Sequence, residues 1–124
     1  MSAAEALLDR VLGGGPVLPI YSPRPDEDAV GVARALLEGG ITAIEITLRD
    51  PCAIAAVMAV AAALPQMQVG VGTVIAPRQL QQARDAGACF AVSPGTTQRL
   101  LSAAREAGFP LLPGVATASD VMRA

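Results

Sequence analysis

Short apolar runs rich in β-type residues alternate along this chain with longer Ala- and Leu-rich runs, and Gly or Pro marks most of the junctions. The pattern predicts a leading helix over Ser2–Leu12, with Ser2 as N-cap and Glu5 three residues on, stopped by Gly13-Gly14-Gly15. Val17–Ile20 reads as a first strand, with Pro19 near its end or a bend. Asp26–Glu38 reads as a helix that is acidic in its first turn and closed by Gly39-Gly40. A second strand over Ala43–Leu48 leads into a helix over Pro51–Leu64, with Asp50 as N-cap and Pro51 at the first helical position. Strands over Val69–Val71, Cys89–Val92 and Leu111–Leu112 follow. Helices over Pro77–Ala86 and Thr97–Ala107 lie between them, stopped by Gly87 and Gly108, and a last helix opens at Ala118.

The unit is β then α, repeated, which implies a parallel sheet with right-handed crossovers. An internal echo supports the repeat: Gly70-Val71-Gly72-Thr73, Ser93-Pro94-Gly95-Thr96 and Pro113-Gly114-Val115-Ala116-Thr117 each place glycine and threonine just after a strand. No linker or low-complexity tract interrupts residues 1–124, so the expectation is one domain. Periodicity alone fits an open doubly wound sheet as well as part of a barrel.

The second strand favours the barrel. Side chains alternate along a strand, so Ile44, Ile46 and Leu48 share one face, while Ala43, Glu45, Thr47 and Arg49 share the other. In an open sheet covered by helices on both sides, both faces should be apolar. A polar face holding a carboxylate fits a barrel lumen. Arg49 lies about 13 Å beyond Glu45 at ~3.3 Å per residue, at the C-terminal rim where such barrels hold their active sites.

Composition narrows the classes. The chain has 124 residues, enough for a real core but short of the ~250 typical of a closed eight-unit barrel. Hydrophobic residues make up 52% and aromatics 2%, so the core is built from Ala, Val, Leu and Ile. With net charge −2, scattered arginines and few aromatics, nothing points to nucleic acid. Cys52 and Cys89 stand apart and there is no histidine, which argues against a zinc site and is compatible with a reduced cytoplasmic setting. Residues Met1–Arg10 do not read as a signal peptide, and the most apolar run, Ala53–Leu64, is too short for a bilayer of ~30 Å. All nine Lys+Arg residues are arginine.

Candidate chemistry sits after or within the strands. A glutamate in a partly dry interior has its pKa raised toward neutrality, which suits a group that both takes and gives a proton; a structural Glu45 paired with an arginine of another strand is the alternative. Arg49 offers a planar fork for carboxylate or phosphate, or a surface salt bridge to Asp50 or Glu38. Gly70-Val71-Gly72-Thr73 fails the dinucleotide pattern, because Ile75 stands where the third glycine belongs. Its glycines instead could let a ligand approach while the Thr73 hydroxyl bonds it, or Thr73 is a local cap. Ser93-Pro94-Gly95-Thr96 is either a carboxylate-holding loop or a plain turn.

Gly15-Pro16-Val17-Leu18-Pro19-Ile20, the run from Gly39 to Arg49, Val69–Val74, Phe90–Gly95 and Leu112–Thr117 resemble, in order and spacing, the 2-keto-3-deoxy-6-phosphogluconate / 4-hydroxy-2-oxoglutarate aldolases. The resemblance runs from about residue 13 to the last. It implies a class I aldolase on a (β/α)8 TIM barrel, a cytoplasmic homotrimer without cofactor, that cleaves the phosphorylated keto-acid to pyruvate and glyceraldehyde 3-phosphate. It implies that Glu45 shuttles protons and that Arg49, Thr73 and Pro94 line the pyruvate site. The family's Schiff-base lysine lies on a sixth strand. Here the expectation is therefore an incomplete barrel of about five parallel strands, truncated before that lysine and inactive alone. The alternative is a half-barrel binding or assembly module that holds small keto-acids without turnover. Neither nucleic acid nor membrane is an expected partner.

Overall fold

The order of the sheet decides between the two architectures that periodicity left open. In the computed structural model, which describes residues 3–13 and 15–124, five strands pair in chain order, all parallel. They are β1 (Ile20–Tyr21), β2 (Ala43–Thr47), β3 (Gln68–Gly72), β4 (Phe90–Ser93) and β5 (Leu111–Pro113). A doubly wound sheet reverses its order at a switch point; this one never does. It winds in one direction, as a barrel wall does. Helices α1 (Ala3–Leu12), α2 (Ala29–Glu38), α3 (Ala53–Ala63), α4 (Pro77–Asp85), α5 (Gln98–Ala107) and α6 (Ala118–Arg123) alternate with the strands. None of the described helices is long and apolar enough to cross a membrane.

The two faces of the sheet are covered differently. Ile44, Ile46, Val69, Val71 and Ala91 pack under α2–α5 against Ala33, Val57, Val60, Leu80, Ala83, Leu100 and Ala104. The helical partners are mostly Ala and Val, so helices lie close on the sheet. Full burial of each Val or Leu contributes roughly 1.5–3 kcal/mol. On the other face, a smaller cluster joins Leu7 and Val11 of α1 to Ala43 and Phe90. Helix α1 thus closes the bottom of the lumen face and leaves its C-terminal end to the polar residues. Gly70 makes this floor possible: a Cβ there would collide with the Phe90 ring, reaching 2.6 Å from Cδ2.

The local signals mostly hold, with three displacements. The first strand is Ile20–Tyr21 rather than Val17–Ile20; only Ile20 and Tyr21 pair with β2, opposite Glu45 and Ile46. Pro19 lacks an N–H but its carbonyl accepts from Glu45 N–H at 2.9 Å, so the ladder begins at that oxygen. Helix α3 starts at Ala53, because Asp50 turns the chain first: its carboxylate accepts from Cys52 N–H (2.9 Å) and its carbonyl from Ala53 N–H (3.0 Å). The acidic start expected at Asp26 is a turn, and Asp28 caps α2 by accepting from Gly31 N–H (2.9 Å). Elsewhere Thr97 and Thr117 cap α5 and α6, and Gly87 (φ 93°) and Gly108 (φ 59°) end α4 and α5 in left-handed backbone. The expected N-cap Ser2 lies outside the described residues.

Candidate active site

Glu45 occupies the middle of β2 on the lumen face, 6% exposed, while Thr47, two residues on, is 2% exposed. Burial pushes the Glu45 carboxyl above its ordinary range, and the positive charge of Arg49 partly offsets the rise. No arginine forms an ion pair with Glu45 among the described residues, where the salt bridges are Arg24–Glu27 and Arg123–Asp120. The structural alternative, a glutamate neutralised by an arginine of another strand, is therefore not what the fold contains. The fold contains a nearly buried carboxyl with no ion-pair partner among the described residues.

Gly72 makes the room. A Cβ at Gly72 would overlap Glu45 Oε1 and lie 2.7 Å from Cδ and 2.9 Å from Cγ. The sequence reading gave the glycines of Gly70-Val71-Gly72 to an approaching ligand. The structure gives both to side chains of the protein itself: Gly70 to Phe90 and Gly72 to Glu45. The carboxylate thus fills the space beside Gly72 of the neighbouring strand, with Thr73 next in the chain.

Thr73 is the one non-glycine residue with positive φ, at 61°, among the described residues. That region disfavours a β-branched side chain by roughly 1–2 kcal/mol. Strain of this kind, held by packed neighbours, is concentrated at functional sites. Thr73 is half-buried, and among the described residues no hydrogen bond ties down its hydroxyl.

Arg49 is not on the strand. Strand β2 ends at Thr47, and Arg49 lies exposed in the turn that follows, with no ion pair to Asp50 or Glu38. The turn is held to the next strand, since Leu48 N–H donates to Gly72 carbonyl at 2.9 Å. Similar bonds continue around the rim: Val74 N–H to Val92 carbonyl (3.1 Å) and Gly114 N–H to Ser93 carbonyl (2.7 Å). Pro94 is exposed in the loop after β4, and its carbonyl packs so closely on Gly114 that a Cβ there would clash. The Thr96 hydroxyl donates to Gly114 carbonyl at 2.6 Å, and Ser93 Oγ to Gly95 carbonyl at 2.8 Å. A continuous backbone ladder thus runs past Arg49, Thr73 and Pro94 along one rim, above Glu45.

One polar pair was not foreseen. Ser22 Oγ and Thr47 Oγ1 are 2.7 Å apart and bind the end of β1 to the lumen face of β2. The alternation Glu45–Thr47 already placed Thr47 inward; nothing in the order of residues pointed to Ser22. No group of three or more His, Cys, Asp or Glu residues able to hold a metal exists among the described residues, and both cysteines are free. The arrangement sets a nearly buried carboxyl beneath a rim that carries, among the described residues, the unpaired Arg49 guanidinium and the unpaired Thr73 hydroxyl.

The family model described as "Aldolase: KDPG and KHG aldolase" matches residues 8–124. The KHG/KDPG aldolase of Escherichia coli (strain K12) is 46% identical over 114 residues, 92% of this chain and 54% of that protein. The 2-dehydro-3-deoxy-phosphogluconate aldolase of Dickeya dadantii (strain 3937) is 45% identical over the same shares. Among solved structures, the 2-keto-3-deoxy-6-phosphogluconate aldolase of Zymomonas mobilis ZM4 with 3-phosphoglycerate superposes with TM-score 0.86 at 43% identity, covering 93% of this chain and 55% of that one. The KDPG aldolase of Legionella pneumophila, with pyruvate captured at low pH as a covalent carbinolamine intermediate, superposes with TM-score 0.85 at 44% identity, covering 90% and 54%. The chain spans about half the length of the curated relatives it matches.

Proposed function

This chain belongs to the KDPG and KHG aldolase family, and from that premise we propose that its lumen face is the proton-transfer and keto-acid-holding half of a class I aldolase site. The observation that carries the proposal is Glu45: a buried, unpaired carboxyl whose pKa is raised by desolvation, set below the rim of a parallel barrel wall. In this reading the residues are the N-terminal portion, a single domain, of a (β/α)8 barrel that cleaves 2-keto-3-deoxy-6-phosphogluconate to pyruvate and glyceraldehyde 3-phosphate.

The chemistry follows from the positions. A protonated imine (iminium) at the keto carbon acts as electron sink and becomes an enamine as the bond breaks. Glu45 takes the proton of the hydroxyl on the carbon beyond the bond to be broken, and that bond's electron pair moves toward the imine as the aldehyde leaves. The same carboxyl then returns a proton to the carbon that becomes the pyruvate methyl. One group serves both transfers only if its pKa stands near the working pH, and burial raises it in that direction. Arg49 forks onto the substrate carboxylate, the Thr73 hydroxyl bonds it, and Pro94 walls the pocket. The 124 residues contain no lysine and offer no amine but the α-amino group of Met1, so in this reading the Schiff-base lysine is supplied by residues other than these, and the chain alone binds pyruvate without turnover. Cytoplasmic location and a homotrimer are part of the same proposal.

A second reading, an assembly module that holds keto-acids without turnover, draws on the apolar residues near the two sheet edges. Val17 and Ile20 are exposed beside β1, and Val115, Val121 and Met122 beyond β5. Titrating the chain with pyruvate while following backbone amides tests the binding part common to both. Saturable shifts at Arg49, Thr73 and Gly95, lost in Arg49→Ala, are expected. Shifts elsewhere, or a covalent borohydride-stable adduct on the chain alone, would overturn the assignment of roles.

A further inference from the structure

A cavity of about 290 Å³ opens between the starts of α4 and α5, lined by Ile75, Ala76, Pro77, Arg78, Thr97 and Arg99. No carboxylate lines it, and neither helix has an acidic residue in its first turn. Neither arginine forms an ion pair or donates a side-chain hydrogen bond among the described residues. Their placement runs against the helix dipole, which favours anions at the N-terminal end and cations at the C-terminal end. The other arginines of these two helices obey that rule: Arg84 donates to Ala107 carbonyl (2.9 Å) and Arg105 to Ala124 carbonyl (3.5 Å), each from the last turn of its helix. Arg78 and Arg99 instead sit, both exposed, at the second helical position of adjacent helices and line one hollow, in a chain whose net charge is negative. Two positive charges at two positive helix ends facing one hollow are both favoured by an anion held in it.

A smaller apolar hollow of about 180 Å³ adjoins the first, sharing Ile75 and Thr97 and adding Val74, Pro94, Gly95 and Leu100. We propose that the Arg78–Arg99 cavity binds the phosphate of a small phosphate monoester, with the organic part of the ester lying in the adjoining apolar hollow. A monoester dianion matches two guanidiniums in charge, and its oxygens suit their planar forks. The arginine-lined cavity shares no residue with the keto-acid pocket, whereas the apolar hollow shares Pro94 and Gly95 with it, so the phosphate part of the proposal can stand or fall separately.

The test is a titration of the full chain with inorganic phosphate, glycerol 3-phosphate and glycerol at constant ionic strength, followed by amide shifts. Saturable shifts centred on Ile75–Gln79 and Thr97–Leu100 are expected with both phosphates and not with glycerol. Glycerol 3-phosphate should bind more tightly than inorganic phosphate if the apolar hollow is used; equal affinities would reject that part. Arg78→Ala and Arg99→Ala should each weaken binding about tenfold, and Arg→Lys at either position less. Spectra of the free variants that overlay the parent's elsewhere establish that the fold is kept. Shifts that do not saturate, that centre on Arg49, or that survive both substitutions would overturn the proposal. Pyruvate shifts are read in the same samples and should be unaffected by either variant.

Discussion

Gly72→Ala isolates the contact on which the buried carboxyl depends. Gly72 does not have positive φ, so alanine suits its backbone, and by chain entropy alone the substitution would stabilise by ≈ 0.4–1 kcal/mol. The structure predicts the opposite sign. The new methyl overlaps Glu45 Oε1 and lies 2.7 Å from Cδ, far inside van der Waals contact, and Glu45 is nearly buried. Overpacking of this kind costs about 1–3 kcal/mol, a fall in Tm of about 4 °C per kcal/mol for a domain of this size. The informative comparison is a double-mutant cycle by urea unfolding at pH 7. In a Glu45→Ala background the colliding atoms are gone and the alanine methyl fills vacated space, so Gly72→Ala should there be neutral or stabilising. The coupling should therefore reach about 1–3 kcal/mol. An equal cost of Gly72→Ala in both backgrounds would show that the glycine is needed for its backbone, and the account of how β3 accommodates Glu45 would be wrong.

Glu45→Gln tests the protonation argument through pH. Burial raises the folded pKa above the ordinary value of 4.5, so as pH rises past 4.5 the unfolded chain releases its proton first and wild-type stability falls until the folded carboxyl has ionised. The stability of Glu45→Gln relative to wild type should therefore climb with pH across that window; urea midpoints that differ by a constant at every pH would contradict the raised pKa. Arg49→Ala removes the charge that holds the Glu45 pKa down, so the carboxyl carbon, followed by NMR, should titrate at higher pH than in wild type. The same variant should bind pyruvate about tenfold or more weakly. Thr73→Gly relieves the left-handed strain and should raise stability by up to about 1 kcal/mol while weakening pyruvate binding. A destabilised Thr73→Gly would mean that the hydroxyl or the methyl contributes more than the backbone strain takes away.

The alternation along Ala43–Thr47 was enough to place Glu45 and Thr47 inward, because one residue of slip would have put the carboxylate among Ile44 and Ile46 under the helices. The βα order and most helix ends were legible for similar local reasons: Gly87 and Gly108 take left-handed backbone, and Thr97 caps within three residues of its partner. What could not be read is what depends on register between strands. Gly72 meets Glu45 and Gly70 meets Phe90 only because β2, β3 and β4 align as they do, and nothing local to Gly70-Val71-Gly72 reveals that. The same limit hid the Ser22–Thr47 pair, 25 residues apart. The strain at Thr73 was also invisible, since threonine is a poor choice for positive φ and local preference argues against it. Arg49 was given the face of Glu45 just past a strand read as Ala43–Leu48, because alternation does not say where pairing stops; it stops at Thr47, and Arg49 lies in the turn that follows.

The central claim is that this lumen face is half of an aldolase site in which Glu45 moves the protons. The most direct measurement joins residues 1–124 to the remaining residues of the Escherichia coli relative, which this chain resembles at 46% identity. It then assays cleavage of 2-keto-3-deoxy-6-phosphogluconate with and without Glu45→Gln. The account predicts that the chimera releases pyruvate, and that Glu45→Gln lowers kcat by a factor of about 10²–10⁴ while a borohydride-trapped pyruvate adduct still forms. A folded chimera without cleavage, or one whose Glu45→Gln variant turns over at the parent rate, would contradict it.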